Sequence, residues 1–108
     1  GAKKPGYVVV TQHDAWRIGI VNWCEKIDGE PRKIERHLQT DEVFILSEGK
    51  AYLYIGKDLI KTELSMGKVY NVKKGVWHSL ILEKNAKIFV IENADTDDTN
   101  TERVYFDK

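Results

Sequence analysis

The chain has few cysteines, which can form disulfides, and few prolines, which interrupt helices and strands. Cys24 is the single cysteine, and there are only two prolines in 108 residues. One cysteine excludes an intrachain disulfide, which is compatible with a reducing compartment. Residues 1–10 lack the long apolar core of a secretory signal. We therefore expect a cytoplasmic protein.

The sequence also lacks an excess of either charge and any long apolar run. Its 17 lysines and arginines balance 17 aspartates and glutamates. A chain without basic excess has little with which to neutralise phosphates, so we expect no nucleic-acid partner. The longest apolar runs, such as residues 43–46, are far too short to span a bilayer, so we expect no membrane association.

What is present is a series of short β-rich segments separated by glycine. Hydrophobic residues make up 42% and charged residues 31% of the chain, which is typical of a globular protein, and the length predicts one domain over residues 1–108. The predicted strands are residues 8–11, 16–24, 35–38, 42–46, 51–55, 59–64, 69–72, 77–82 and 88–92. Such short runs without longer helical patterns indicate an antiparallel sandwich or barrel.

Three features of this strand pattern need separate predictions. Gly19 interrupts an apolar run and is a candidate β-bulge. Residues 93–102 are polar and acidic, so we expect an exposed loop. Residues 104–106 are apolar again, and we expect this tail to dock on its own sheet or on a partner subunit.

Four side chains with metal-binding chemistry lie on predicted strands. Glu35 and His37 are two residues apart, so strand alternation points both the same way, with origins about 6.8 Å apart. Glu42 starts the next strand, and His78 follows a glycine turn that would aim it inward. Neutral imidazole nitrogen and anionic carboxylate oxygen suit Mn, Fe, Co, Ni or Zn, so we expect one divalent transition metal.

The order and spacing of these residues resemble the two motifs of the cupin superfamily. Two sets of residues keep the motif spacing: His37, Glu42 and Gly49 in the first motif, and Gly67, Gly75 and His78 in the second. The resemblance implies a small single-domain cupin, or monocupin, with an all-β jelly-roll barrel, also called a double-stranded β-helix. It covers a core of roughly residues 30–92, with an N-terminal strand segment before it and a C-terminal tail after it.

The first motif is degenerate. Three motif positions hold other residue types: Glu35 for the first histidine, Lys73 for the proline and Leu82 for the asparagine. The resemblance implies His37, Glu42 and His78 as metal ligands and places Glu35 at a fourth ligand position. A second carboxylate would hold the dication tightly but leave it a weaker Lewis acid. If Glu35 swings away, two histidines and one carboxylate remain, as in many non-haem Fe(II) oxygenases.

Two classes of function fit this resemblance. The first is a metal-binding enzyme of unassigned activity, of isomerase, lyase or oxygenase type, acting on a small polar metabolite. The sequence does not identify its catalytic residues, although a free Glu35 could be a general base. The second is a noncatalytic cupin that binds a sugar or another small molecule without metal. Fold resemblance does not choose between them, and the enzyme is our first hypothesis.

Other conspicuous residues have ordinary structural explanations. His13 lacks a spaced partner, so we expect it on the surface. Cys24 lies in a predicted strand, and we expect a small core residue. The segment 95–98 lacks the glycine and terminal glutamate of a calcium loop, which favours a solvated turn. Four strand aromatics could line a pocket, but we expect them to pack in the fold: Phe44, Tyr52, Tyr54 and Trp77.

We also expect a homodimer that binds a small-molecule ligand. The resemblance implies pairing between copies, often by exchange of edge strands. The exposed edges of a single small barrel need such protection. Residues 7–11 or 104–106 are the segments that would contribute.

Overall fold

The structure is a computed structural model that describes residues 4–106. Its regular elements are ten strands and one short 3₁₀ turn at Glu25–Ile27. The strands are β1 (Gly6–His13), β2 (Trp16–Asn22), β3 (Lys33–His37), β4 (Glu42–Glu48), β5 (Ala51–Ile55), β6 (Ile60–Glu63), β7 (Val69–Val72), β8 (His78–Leu82), β9 (Lys87–Asn93) and β10 (Thr101–Tyr105). Each predicted strand overlaps an observed one. Within this range, no helix has the length and apolar character needed to cross a bilayer.

The strands form two antiparallel sheets of five strands each. The first sheet has the order β1-β2-β9-β4-β7, and the second has the order β10-β3-β8-β5-β6. Strands distant in sequence lie side by side, as β2 and β9 do in the first sheet and β5 and β8 in the second. This arrangement confirms the all-β jelly-roll sandwich.

The inner faces of the two sheets form the core. Strand β4 alternates, with Phe44 and Leu46 buried against the second sheet, and β9 buries Ile88 and Val90 in the same way. Burial of alternate apolar side chains on facing sheets is the main stabilising contribution in a sandwich. The same inner rows end in buried carboxylates, Glu42 on β4 and Glu92 on β9, and the functional site begins there.

The C-terminal segment differs from its prediction. Residues 93–102 were expected to be a loop, but Thr101 already begins β10. Strand β10 pairs with β3, and this places Thr101 opposite His37 and Arg103 opposite Glu35. Of the two docking sites predicted for residues 104–106, the described structure shows docking on the chain's own sheet. The start of this edge strand is polar and lacks the alternation of apolar residues that predicts a strand. The sequence pattern therefore indicated a loop.

Two predictions near β2 were also wrong. Gly19 pairs in register with Val9 and Val90, and the irregular register lies on the neighbouring strand, between Val9 and Thr11. Strand β2 ends at Asn22, so Cys24 follows the strand and is only half-buried. The glycine at position 19 therefore has a different role, which the site geometry explains.

Candidate metal centre

Glu35, His37, Glu42 and His78 come together at one end of the sandwich. Strand β3 carries both Glu35 and His37 toward the interior, and Glu35 pairs directly with His78 of β8. Glu42 reaches the same point from the start of β4, in the other sheet. One potential ligand atom from each residue lies within 4.8 Å of the others. The structure thus brings together all four residues that the sequence singled out.

Glu42 is the centre of this cluster. Its Oε1 lies 3.0 Å from Nε2 of His37 and 3.0 Å from Nε2 of His78. Glu35 is more distant, with Oε2 3.7 Å from Nε2 of His37. Ligands with metal–ligand bonds of about 2.1 Å are themselves about 3.0 Å apart in octahedral and about 3.4 Å apart in tetrahedral coordination. The donor set therefore fits one metal ion with small side-chain shifts.

The outer nitrogens of both imidazoles have partners that orient the rings. His78 Nδ1 donates to the Val76 carbonyl at 3.0 Å, and His37 Nδ1 lies 2.8 Å from the Thr101 hydroxyl. A carbonyl oxygen can only accept, so Nδ1 of His78 carries a proton. In the neutral ring, Nε2 then keeps its lone pair toward Glu42. This is the usual arrangement of a metal-binding histidine.

Without a metal, hydrogen bonds between Glu42 and the two imidazoles hold the cluster together. Burial alone would raise the pKa of Glu42, but hydrogen bonds from His37 and His78 outweigh it and lower that pKa to about 2. Burial alone would lower the pKa of each histidine, but the hydrogen bond to Glu42 raises both. An ionised carboxylate between protonated imidazoles is therefore favoured, and metal binding would release those protons.

Glu35 differs from the other three residues because two cations hold it. Its Oε1 accepts from Lys33 Nζ at 2.9 Å and from Arg103 Nε at 2.9 Å. Burial alone would raise the pKa of Glu35, but the charge of Lys33 leads the effects that lower it. Glu35 is therefore an ionised carboxylate with one oxygen on the cations and the other turned toward His37.

A cavity of about 690 Å³ borders the cluster. All four residues of the cluster lie on its wall, together with the apolar side chains of Phe44 and Val90. The wall also carries polar groups from four other strand residues: Tyr7, Arg17, Glu92 and Thr101. Cavities of this volume hold small molecules, and a few polar groups on an apolar wall fix their orientation.

A second polar group faces the same cavity. Glu92 is buried, and its Oε2 accepts from the Tyr7 hydroxyl at 3.1 Å and from Arg17 Nη2 at 2.8 Å. Burial and then the neighbouring Glu42 carboxylate raise the pKa of Glu92. Burial and then the Glu92 charge raise the pKa of Tyr7 to about 12. The Tyr7 hydroxyl therefore keeps its proton and donates a hydrogen bond to Glu92.

Gly19 makes room for this tyrosine. A Cβ atom at position 19 would lie only 2.2 Å from Cε1 of Tyr7. The aromatic ring therefore lies against the bare backbone of β2, and it extends from the edge strand β1 toward Glu92. The absence of a side chain at position 19 allows the Tyr7 ring to pack directly on the backbone.

The residues that support the cluster are not predictable from motif spacing. Thr101 fell in a predicted loop, and Arg103 fell just before the predicted apolar tail, so no spacing drew attention to either. Glu92 did carry a signal, because it is a charged residue that continues the buried alternation of Ile88 and Val90. Arg17 lies opposite Glu92 in the pairing of β2 with β9, which only the sheet order reveals.

The other residues singled out in the sequence lie where structural roles would place them. His13 is exposed, as predicted, and lies 3.1 Å from Asp14. Asp97 accepts hydrogen bonds from the backbone and hydroxyl of Thr99, which fits a solvated turn. The Phe44 ring packs 6.0 Å from the His78 ring at the cavity wall. Trp77 instead stacks under the Arg36 guanidinium, 4.6 Å from the ring centre.

Comparison with known proteins identifies the fold. No protein-family model matches this sequence, and no curated protein sequence matches it. Among solved structures, a cupin-2 domain containing protein from Shewanella frigidimarina aligns with a TM-score of 0.65 and 26% identity, covering 82% of this chain and 79% of that one. The protein has a monocupin fold. This result confirms the resemblance drawn from the two sequence motifs.

Two further structures share the cupin-like fold at lower identity. PAC13 from Streptomyces, in a variant solved with uridine, aligns with a TM-score of 0.74 and 10% identity over 94% of this chain and 79% of that one. PAC13 is a nucleoside dehydratase. HppE in its FeII form aligns with a TM-score of 0.63 and 17% identity over 81% of this chain and 48% of that one. The fold and the histidine–glutamate cluster together indicate a metal-binding monocupin.

Proposed function

We propose that this monocupin is an enzyme that holds one divalent transition metal at His37, Glu42 and His78. One observation carries the proposal: four histidine and glutamate side chains bring ligand atoms within 4.8 Å of one another on the wall of a cavity. This mixture of nitrogen and oxygen donors suits Mn, Fe, Co, Ni or Zn. The Nδ1 contacts of both imidazoles, which leave Nε2 directed at Glu42, add support.

Glu35 is the fourth ligand in this proposal. A general base needs a pKa near the working pH, whereas the surroundings of Glu35 lower its pKa. Its Oε2 faces the other donors, while Oε1 remains on Lys33 and Arg103. These two cations also offset the charge of the second carboxylate. The bound ion would therefore remain a stronger Lewis acid than it would beside two carboxylates without neighbouring cations.

The proposed reaction is an isomerisation, elimination or oxygenation of a small polar metabolite. A bound metal of this kind supplies Lewis acidity or, as iron, a site for dioxygen. The chain's own residues would position the substrate: Phe44 and Val90 provide apolar contact, and the Tyr7–Glu92 pair offers polar atoms across the cavity. The dehydratase PAC13 supports the elimination, and the FeII form of HppE supports iron as a metal that this fold can hold.

A second candidate is a noncatalytic cupin that binds a sugar or another small molecule without metal. One observation favours it: within residues 4–106, every buried side-chain nitrogen or oxygen of the structure has a hydrogen-bond partner. The Glu42 carboxylate is thus already satisfied by His37 and His78. A cluster that is complete without an ion could serve as a rigid wall for ligand binding.

Elemental analysis of protein purified without a metal-affinity column separates the two candidates. We expect one equivalent of a transition metal in the wild-type protein and its loss from a His37→Ala, His78→Ala double variant. The His13→Ala variant is the matched control, because His13 is exposed and outside the cluster, and it should keep the metal. Wild-type protein that binds none of the five metals after supplementation would rule out the enzyme proposal in favour of the binding module.

Three broader predictions belong to the same proposal. The chain functions as one domain over residues 1–108 with a core of about 30–92, and of this range the structure describes residues 4–106. The protein resides in the cytoplasm, where a single free cysteine needs no partner. It works as a homodimer on a small-molecule ligand.

A further inference from the structure

The cavity wall has a second charged region beside the metal cluster. Strand β3 places Lys33, Glu35 and His37 on this wall at two-residue steps, and each step is about 6.8 Å along the strand. Lys33 therefore lies on the side of Glu35 that is away from His37. Two more cations on the wall, Lys26 and Arg32, belong to the segment that leads into β3. The turn that carries Lys26 lies against β8, the neighbour of β3. We call Lys26, Arg32 and Lys33 the cation end of the cavity.

The unmatched charge on the cavity wall is positive. Four carboxylates lie on the wall, and each has hydrogen-bond partners within the chain: Glu35, Glu42, Glu92 and Asp97. Among the described residues, by contrast, the side chains of Lys26 and Arg32 have neither an ion pair nor a hydrogen bond. The acidic residues of the same segment do not line the cavity and so do not neutralise its wall: Glu25, Asp28 and Glu30.

Lys33 also has donors to spare, and it lies close to the metal cluster. An ammonium group has three donors, and within the described chain Nζ of Lys33 has one hydrogen-bond acceptor, Oε1 of Glu35 at 2.9 Å. The other oxygen of Glu35 lies 3.7 Å from Nε2 of His37. A single carboxylate group therefore separates the cation end from the cluster, and one compact molecule can contact both.

The charge of the whole cavity favours an anionic ligand. The chain has a formal net charge of zero, but its four wall carboxylates face five wall cations: Arg17, Lys26, Arg32, Lys33 and Arg103. A bound divalent metal would add two positive charges. A cleft with an excess of one charge and apolar walls concentrates the field and attracts the opposite charge. Phe44 and Val90 provide such apolar surface.

We propose that the substrate is a small organic anion whose carboxylate or phosphate group binds the cation end, while its other end faces the metal cluster. Hydrogen bonds between a cation and an anionic oxygen are stronger than neutral ones, and the planar guanidinium of Arg32 suits a two-oxygen contact with either group. An uncharged sugar would leave these cations without a partner. The inference names the substrate class of the proposed enzyme and rests on it in that respect, but the anion site itself needs no metal.

Nuclear magnetic resonance titration of the metal-free protein tests the proposal. The protein is treated with a chelator and then dialysed free of it, because chelators are themselves anions. The probes are succinate, methyl phosphate and succinamide, an uncharged molecule that matches succinate in size. We expect the anions to shift the backbone amide signals of Lys26, Arg32 and Lys33, and succinamide to bind at least about tenfold more weakly than succinate. The anion that binds more tightly identifies the group as carboxylate or phosphate.

Substitutions locate the binding site of the probe. We expect Arg32→Gln and Lys33→Gln each to weaken binding of the tighter anion about fivefold to tenfold. Arg36→Gln is the matched control, because Arg36 lies on the same strand but stacks on Trp77 and does not line the cavity, and it should keep the wild-type affinity. The amide spectrum of each variant establishes that it is folded. Equal affinity for succinate and succinamide, or unchanged anion affinity in both Arg32→Gln and Lys33→Gln, would overturn the proposal.

These results are separable from those of the metal analysis. Anion binding at the cation end of a protein that holds no transition metal would contradict the proposed enzyme and support the anion site. One equivalent of metal at the cluster, with no preference for charged over uncharged probes, would support the metal centre and overturn the anionic substrate.

Discussion

At the scale of single residues, one carboxylate oxygen determines the character of the site. Oε1 of Glu42 lies 3.0 Å from both imidazole Nε2 atoms. An ionised carboxylate has no proton to give, so each contact needs a proton on the imidazole or an ion between the ligands. The site is therefore either a protonated cluster or a metal centre. Above pH 6.5, a rise in pH should lower the stability of the protonated cluster and raise the affinity for the metal.

The metal-free protein should show a defined optimum of stability with pH. The pKa of His37 and that of His78 are raised above the ordinary 6.5, so their contribution is complete below that pH and is lost as pH rises through the raised values. The pKa of Glu42 is lowered from 4.5 to about 2, so its contribution is present above 4.5 and is lost as pH falls toward 2. Thermal unfolding in a chelating buffer should give the highest midpoint between these limits, near pH 4.5–6.5.

The paired measurement is metal affinity by calorimetry over the same pH range. It should rise with pH, because metal binding must displace the imidazole protons. The His78→Gln variant serves as control and should show a flatter stability profile above pH 6.5. An unfolding midpoint of the metal-free wild type that increases from that pH upward would contradict the description of the cluster.

At the scale of elements, the two edge strands β1 and β10 complete a site that the central strands begin. Strand β10 brings Thr101 to His37 and Arg103 to Glu35. Strand β1 brings Tyr7 to Glu92. These contacts depend on sheet order, since the partners are far apart in sequence. The edge strands therefore orient residues of the site. Substitutions on these strands can test that role without removing a metal ligand.

Thr101→Val should weaken metal binding although Thr101 is not a ligand. The substitution keeps the shape of the side chain but removes the hydroxyl beside Nδ1 of His37, so the ring loses its orienting partner. Loss of such a contact typically lowers metal affinity about 10–100-fold, which calorimetry would measure. Val104→Thr is the control, because Val104 lies on the same strand and faces away from the site. Equal affinities of the wild type and Thr101→Val would show that β10 does not support the centre.

Gly19→Ala should act through Tyr7. The new methyl group would lie 2.2 Å from the tyrosine ring, so the ring must move and the hydroxyl must leave Glu92. We expect a loss of about 1–3 kcal/mol in the free energy of unfolding, measured by denaturant titration. In a Tyr7→Ala background the cost should nearly vanish, because the ring that clashes is gone. The same cost in both backgrounds would contradict the assigned role of Gly19.

At the scale of the whole molecule, the sequence predicted what depends on local pattern. Alternation and glycine turns predicted the series of strands. Motif spacing predicted that Glu35, His37, Glu42 and His78 lie together, and in the structure they do. What depends on sheet order was not predictable. The strand Thr101–Tyr105 has no apolar alternation, and the pairing of Arg17 with Glu92 joins strands that are far apart in the chain.

The proposed function requires one divalent metal between His37, Glu42 and His78. Anomalous diffraction from crystals soaked in cobalt or zinc, with data on both sides of the absorption edge, would locate that ion. We predict one peak per chain, about 2.0–2.2 Å from Nε2 of each histidine and from a Glu42 oxygen. Crystals without an anomalous peak at this position, in which the Glu42 carboxylate still bonds directly to both imidazoles, would show that these residues form a metal-free cluster.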